Sequence, residues 1–176
     1  MDLLYEAACS YQSLLGKDYH VVAGYRGERI EFTFVFLPEH FYHLVGFHKL
    51  LDLRGVSRPN MLYRKALAHE IDFSLVAKSP FYGEMSERLR IFSRIQEIIE
   101  GLQSGKIVIE FSQKHRTRIR ANFLLFQKDR DSYAHLFLRC GERYCVPCSF
   151  FCRGDDKYIA NNKKYRVIDF CISEHR

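Results

Sequence analysis

The sequence lacks tryptophan, holds only 4 prolines and 10 glycines, and has no low-complexity run. With 47% hydrophobic residues, this composition excludes collagen-like, repeat and intrinsically disordered proteins. Long hydrophobic runs are also missing. A transmembrane helix needs about 20 apolar residues, and the apolar stretch at residues 30–37 is broken by Glu31 and Thr33. No basic segment precedes the first apolar residues, as one does in a secretory signal. We therefore expect a globular cytoplasmic protein with no membrane partner.

Several common catalytic motifs are absent as well. The sequence contains no glycine-rich phosphate loop, no Gly-x-Ser-x-Gly elbow and no His-Glu-x-x-His motif. Its six cysteines are expected to be reduced thiols, because a chain of 176 residues without an export signal needs no disulfides. Cys140, Cys145, Cys148 and Cys152 resemble a zinc site only loosely, since Cys145 and Cys148 would face opposite sides of a strand. We expect no cofactor and no metal at the functional site.

The charge balance favours an anionic partner. Lysine and arginine number 27 against 21 aspartates and glutamates, which gives a net charge of +6. Such a balance is compatible with nucleic-acid binding. Arg88, Arg90 and Arg94 lie among glutamates on a strongly periodic helix, so we expect them to form a solvated face.

Hydrophobic periodicity divides a single domain, residues 1–176, into three parts. Residues 1–37 indicate a helix and a β-hairpin, and residues 38–104 a helical part with long helices over 38–53 and 82–103. In residues 105–176 the period changes to two, as in strands. Five strands are predicted there, over residues 106–111, 116–126, 132–139, 143–152 and 164–172. The predicted fold class is α+β, in which N-terminal and central helices pack on a C-terminal five-stranded antiparallel sheet, with an extra N-terminal hairpin.

Three histidines mark the helix predicted over residues 38–53. At about 100° per residue, His40, His43 and His48 all point into its wide apolar arc. One histidine in such an arc is more often a hydrogen-bonded core residue than a catalyst, but three together indicate a chemical role. His43 and His48 lie about 140° apart on the helix, so one metal ion cannot easily bind all three.

Basic and aromatic side chains share one face of the predicted sheet. Successive side chains of a strand point to opposite faces, so Arg116, Arg118 and Arg120 form a stripe. The following strands add these residues to the same face: Tyr133, His135, Phe137, Arg139, Ser149, Phe151 and Asp169. Guanidinium groups bind phosphates and aromatic rings stack on bases, which suits RNA. The alternative is a solvated face that binds nothing, as many antiparallel sheets have.

Two segments resemble a known family. Residues 40–50, His-Phe-Tyr-His-Leu-Val-Gly-Phe-His-Lys-Leu, and residues 144–151, Tyr-Cys-Val-Pro-Cys-Ser-Phe-Phe, are similar to a nuclease domain of phages and bacteria. That domain is grouped with the barnase, EndoU, colicin and RelE type of endoribonuclease. The resemblance spans the chain from about residue 19 onward. It implies a compact α+β ribonuclease that works without metal, often as a toxin or as an antiphage or phage-encoded effector. It also implies a catalytic His or Lys on a helix and a Ser or Thr on a late strand, which here match His43 or His48 and Ser149.

Metal-independent RNA cleavage uses the ribose 2′-hydroxyl as nucleophile. The enzyme must accept its proton, protonate the leaving 5′-oxygen and stabilise a dianionic phosphorane. Because histidine suits both transfers near neutral pH, we predict His43 as the leading acid or base and His48 as the second candidate. His135 is a candidate for the second proton carrier, and Ser149 for a hydrogen-bond donor. The predicted phosphate-binding residues are Arg116, Arg118, Arg120 and Arg139.

The sequence thus predicts a metal-independent endoribonuclease. The expected partners are RNA, with tRNA as one candidate, and an antitoxin or immunity protein if the enzyme is a toxin. Two other functions stay open: a catalytically inert nucleic-acid-binding or regulatory module, and a zinc-stabilised interaction domain. Salt-sensitive binding without cleavage would indicate the first, and bound zinc the second.

Overall fold

A computed structural model describes residues 1–111 and 117–175 of the chain. The α-helices are α1 (Leu3–Gln12), α2 (His40–Leu44), α3 (Pro59–Leu67), α4 (Phe73–Lys78), α5 (Tyr82–Arg90) and α6 (Arg94–Gln103). Two single turns of 3-10 helix follow α2, at Phe47–Lys49 and Leu51–Leu53. The strands are β1 (Lys17–Tyr25), β2 (Glu28–Val35), β3 (Ile107–Glu110), β4 (Phe123–Lys128), β5 (Tyr133–Cys140), β6 (Cys145–Arg153) and β7 (Lys163–Glu174). Within the described ranges, no helix combines the length and the apolar character needed to cross a membrane.

The strands named above form one sheet that closes on itself. Their order is β1-β2-β6-β5-β4-β3-β7, and β7 pairs in turn with β1. Neighbours are antiparallel except β2 and β6, which run parallel and meet at Phe34 and Cys145. Closure depends on β7, whose 12 residues pair with β1 on one side and with β3 on the other.

The predicted five-stranded antiparallel sheet with a separate hairpin is therefore wrong. The fold is α+β, but the sheet is mixed and contains seven strands in the described part of the chain. The N-terminal hairpin forms around Arg26 and Gly27 as predicted, yet both of its strands belong to the main sheet. Side-chain alternation identifies a strand but not the distant strand with which it pairs, so this arrangement does not follow from the sequence pattern.

The arginine stripe predicted on residues 116–126 does not form as a strand face. Strand β4 begins only at Phe123, and residues 117–122 precede it as an irregular loop. Arg118 and Arg120 lie on this loop, while Arg116 lies outside the described residues. Asn122 attaches the end of the loop to β5, because its side-chain Oδ1 accepts the backbone N–H of Cys140 at 2.8 Å.

Both long helices predicted from periodicity are interrupted. The first ends at Leu44, because Gly46 adopts a left-handed conformation with a φ of 84°. The second is divided into α5 and α6 by a turn at residues 91–93. The apolar stripe continues through this break, since Phe92 is as well buried as Ile95 in the next helix.

The main core lies between the helices and one face of the sheet. Tyr11 of α1 is fully buried at its centre. The ring of Tyr11 contacts the rings of Phe36, Phe41, Tyr63 and Phe92. Its hydroxyl donates to the carbonyl oxygen of Leu37 at 2.8 Å, so the polar atom of this ring is paired.

A second, smaller core covers part of the other sheet face. It contains Ile109, Phe111, Ala121, Leu124, Phe137, Tyr158 and Ile159. The segment after β6 places Tyr158 over Phe137, with ring centroids 5.5 Å apart. The aromatic face that the sequence assigns to RNA is therefore partly an internal packing surface, in which Phe137 is completely buried.

Candidate active site

A cleft of about 580 Å³ lies where the loop of residues 117–122 meets α5 and the 3-10 turn Phe47–Lys49. It is lined by His48, Lys49, Arg88, Arg118, Ile119, Arg120, Arg139, Cys148, Ser149 and Phe151. Four of these residues are arginines, and none of those described is acidic. Clustered guanidinium groups attract polyanions and disfavour a bound metal cation.

His48 enters the cleft from the 3-10 turn. Its Nδ1 is buried and has no hydrogen-bond partner among the described residues. Burial, followed by the charges of His43, Arg88 and Lys49, lowers the pKa of His48 to about 4. His48 is therefore neutral at pH 7, and an unprotonated imidazole can accept a proton.

His43 lies against His48, with ring centroids 4.9 Å apart. Burial of the ring, and then the charge of Arg139, lowers the pKa of His43. The third histidine of this segment is engaged elsewhere, because His40 Nδ1 accepts the backbone N–H of Leu37 at 3.1 Å. His43 and His48 thus form a pair of neighbouring imidazoles, of which His48 borders the cleft.

The side chain of Arg88 extends from α5 to the cleft past Gly46, which has no Cβ. A Cβ atom on Gly46 would lie 2.9 Å from Cδ of Arg88, closer than real contacts allow. The guanidinium donates from Nη1 to the carbonyl oxygen of His43 at 3.4 Å, and its carbon lies 5.9 Å from the ring centroid of Phe151. Arg88 is therefore held between the histidine segment and β6.

A β-bulge positions Ser149 at the opposite side of the cleft. Cys148 is the extra residue between Pro147 and Ser149 in the pairing of β6 with β5. Its thiol donates to the carbonyl oxygens of Phe137 at 3.5 Å and Arg120 at 3.7 Å, which attaches the arginine loop to the bulge. Burial raises the pKa of Cys148 to about 11, so this thiol is protonated and does not act as a nucleophile.

Nearly the full length of the chain matches one known protein family. The family is described as phage-Barnase-EndoU-ColicinE5/D-RelE like nuclease 4 (PBECR4), and its model matches residues 3–175. The chain belongs to the PBECR4 nuclease family. No curated protein and no solved structure shows a significant match to it. The resemblance predicted from residues 40–50 and 144–151 is confirmed, and the match extends further, to include α1.

The PBECR4 chain brings several of its predicted site residues together. His48 and Ser149 border the same cleft, and so do these predicted phosphate-binding residues: Arg118, Arg120 and Arg139. His43 contacts His48 without lining the cleft itself. Arg116 lies outside the described residues, so the structure gives no position for it.

His135 lies apart from the cleft, inside the second core. His135 is 0% exposed, and neither of its ring nitrogens has a hydrogen-bond partner in the described part of the chain. The ring packs against Phe137, Phe151 and Tyr158. Burial, the main cause, lowers the pKa of His135 to about 4. Because the ring is enclosed by aromatic side chains, it cannot reach a substrate in this conformation.

Arg88 and Lys49 border the PBECR4 cleft although the sequence does not single them out. Arg88 is expected on a solvated helix face, because it lies among glutamates, but it is half-buried and packs against Gly46 and Phe151. Lys49 forms an ion pair with Glu84. A glycine in the middle of an apolar helical pattern is the one sequence signal that could have indicated close approach of another side chain.

The cysteines are arranged differently from the prediction. Cys140 and Cys145 face each other across β5 and β6 and form a disulfide, so the expectation of reduced thiols is wrong for this pair. Cys148 and Cys152 are free. Among the described residues, no group of three or more His, Cys, Asp or Glu side chains could hold a metal ion. The four cysteines therefore do not assemble the loose zinc pattern seen in the sequence.

Proposed function

We propose that this nuclease is a metal-independent endoribonuclease that cleaves RNA through attack of the ribose 2′-hydroxyl. The proposal is carried by one observation: a neutral imidazole, His48, shares a cleft with four arginines and the hydroxyl of Ser149. A proton acceptor and fixed positive charges around one phosphate are what this reaction requires.

In the proposed mechanism His48 accepts the proton of the 2′-hydroxyl. The 2′-oxygen then bonds to phosphorus, and the bond from phosphorus to the 5′-oxygen breaks. The products are a 2′,3′-cyclic phosphate and a 5′-hydroxyl. We assign protonation of the leaving 5′-oxygen to His43, and a bound phosphate that offsets the charge of Arg139 would favour its protonated ring.

The arginines and Ser149 stabilise the phosphorane. Arg139 lies near the end of β5. The carbonyl oxygen of Arg120 accepts a hydrogen bond from the Cys148 thiol in the bulge, so both arginines are attached to the strands. Their guanidinium groups bind the non-bridging oxygens, and Ser149 donates a further hydrogen bond. Arg88 and Arg118 neutralise the flanking phosphates.

The biological role is proposed from the family alone. A nuclease with this cleft would act as a toxin, an antiphage protein or a phage effector, with tRNA as a candidate substrate. If it acts as a toxin, an antitoxin or immunity protein would cover the cleft.

The test is cleavage of total RNA by purified protein in the presence of EDTA. We expect discrete fragments from the unchanged protein. His48→Gln should lower the rate by about 100-fold or more, because it removes the proton acceptor. Ser149→Ala should lower it by about 100-fold, as for loss of one donor to a developing oxyanion. Single-stranded DNA should not be cleaved, because it lacks the 2′-hydroxyl.

The matched control is His20→Gln, which changes a histidine on β1 that is absent from the cleft lining. This variant should cleave RNA like the unchanged protein. Salt-sensitive RNA binding without cleavage would overturn the proposal in favour of the inert binding module. Equal cleavage by all variants would show that the cleft is not the active site.

A further inference from the structure

A second basic cavity lies away from the cleft. It has a volume of about 360 Å³ and is formed by the end of α6, the start of β3, the end of β4 and the middle of β7. Lys106, Lys128 and Arg166 supply its positive charge, while Ile107, Phe126 and Gln127 provide an apolar wall and an amide. We call it the basic pocket. It shares no lining residue with the cleft.

Lys106 is held in a defined position in the basic pocket. Its side chain folds back over the last turn of α6, where a Cβ on Gly101 would lie 2.5 Å from its Cδ. The ammonium donates to the side-chain oxygen of Gln127. This contact fixes the cation, and the remaining ammonium hydrogens can bind another acceptor.

Lys128 and Arg166 add charges that no described carboxylate neutralises. Both side chains are exposed, and neither forms an ion pair within the described part of the chain. Lys128 lies over the ring of Tyr133, with Nζ 5.7 Å from the ring centroid. Three cations around one cavity, beside the exposed edge of an apolar wall, suit a nucleotide phosphate.

The two basic sites lie at opposite ends of the same strand pair. Lys128 pairs with Tyr133 at one end of β4 and β5, whereas Arg139, at the other end of β5, borders the cleft. Arg139 lies six positions after Tyr133 along β5, which corresponds to about 20 Å in a strand. Tyr133, Phe137 and Arg139 share the same side of β5 by alternation. The second core covers this side between the two sites, since Tyr158 packs on the buried Phe137. A nucleic-acid strand that reaches both sites therefore passes over the outside of the second core.

We propose that the basic pocket binds a backbone phosphate of the same RNA strand, outside the segment that is cleaved. The inference rests on the proposed function, since it takes RNA as the ligand of the cleft. A strand that reaches both sites is held at two places, whereas a short oligonucleotide in the cleft is held at one. The pocket thus selects longer RNA substrates.

The test compares a long 2′-O-methyl RNA strand, which cannot be cleaved, with a labelled trinucleotide RNA. We expect the double variant Lys128→Ala/Arg166→Ala to bind the long strand roughly tenfold more weakly. The slope of log affinity against log salt concentration should fall by about 0.7, as expected for one lost phosphate contact to a single strand. The trinucleotide should be cleaved at the unchanged rate, and the charge-keeping variant Lys128→Arg/Arg166→Lys should restore binding.

The matched control is Arg64→Ala/Lys78→Ala, which removes two exposed charges on α3 and α4. If the pocket variant binds the long strand as this control does, the proposal is overturned. Titration with a nucleoside diphosphate distinguishes an RNA backbone phosphate from a free nucleotide as the ligand of the basic pocket. A diphosphate that binds through Lys128 and Arg166 while binding of the long strand is unchanged would overturn the RNA assignment.

Measuring RNA binding also separates the proposal for the basic pocket from the proposed cleavage reaction. Binding is measured on RNA that cannot be cleaved, so it does not depend on His48 or on any nuclease activity. Absence of cleavage by the unchanged protein, together with the expected loss of binding in the pocket variant, would overturn the proposed reaction and support the basic pocket.

Discussion

Two histidines have pKa values lowered to about 4, but they occupy different surroundings. His48 borders the cleft, whereas His135 is enclosed in the second core. A histidine in the unfolded chain titrates near pH 6.5. Between pH 4 and 6.5 the unfolded state therefore binds more protons than the folded state, so stability increases with pH in this window. The contribution of the two neutral rings to the free energy of unfolding is fully present above about pH 6.5, and it is lost as the solution is acidified.

Replacing His135 with phenylalanine should make the fold less sensitive to acid. The variant keeps a ring among Phe137 and Phe151 but removes two nitrogens that have no described partner. The free energy of unfolding at pH 7 should be unchanged or higher by about 1 kcal/mol. From pH 7 to pH 5 the variant should lose about 1–2 kcal/mol less than the unchanged protein. Urea unfolding at the two pH values measures this difference.

The same variant tests the catalytic role predicted for His135. His135→Phe should retain RNA cleavage, since the proposed mechanism does not use this ring. Loss of cleavage with an intact fold would instead support His135 as the second proton carrier. An unchanged pH dependence of unfolding would contradict the lowered pKa.

At the scale of elements, the short segment after α2 determines how the cleft is built. Gly46 ends the helix with a left-handed turn, and the 3-10 turn Phe47–Lys49 follows it directly. The turn brings His48 beside His43, and the absence of a Cβ allows Arg88 to pass. A continuous helix over residues 38–53 would provide neither arrangement.

Gly46→Ala should therefore lower both stability and activity. A left-handed backbone costs a residue with a Cβ about 1–2 kcal/mol, and the new Cβ would displace Arg88. We expect a loss of about 1–2 kcal/mol in the free energy of unfolding and slower RNA cleavage. Urea unfolding and the cleavage assay measure the two effects.

Gly83→Ala in α5 is the matched control, because a Cβ there meets nothing within 4 Å. It should leave cleavage unchanged and stabilise α5 by about 0.5–1 kcal/mol. If Gly46→Ala acts through Arg88, adding Arg88→Ala should cause little further loss of activity. Additive losses from the two changes would contradict this explanation.

Local patterns predicted much of the secondary structure and several candidate site residues. Helix α1, the hairpin and four of the five C-terminal strands occupy the regions where periodicity indicates them. The late start of β4 was not predictable in this way, because it depends on the contact of Asn122 with β5. Alternation alone therefore placed Arg118 and Arg120 on a sheet face rather than on a loop.

At the scale of the whole molecule, pairing of β2 with β6 brings the two halves of the cleft together. The parallel pairing of β2 with β6 places α2, which follows β2, against the strand that carries Ser149. His48 from the N-terminal half thus borders the same cavity as Arg139 and Ser149 from the C-terminal half. The sequence predicts these residue types, but their convergence depends on strand pairing between distant parts of the chain, which periodicity does not report.

The most direct test of the account is analysis of the ends produced from one defined RNA in EDTA. Mass spectrometry should show a 2′,3′-cyclic phosphate on one fragment and a 5′-hydroxyl on the other. A single 2′-deoxy substitution at the cleaved nucleotide should abolish cleavage at that bond. Products with a 5′-phosphate, or continued cleavage of the deoxy-substituted bond, would contradict a 2′-hydroxyl mechanism in this cleft.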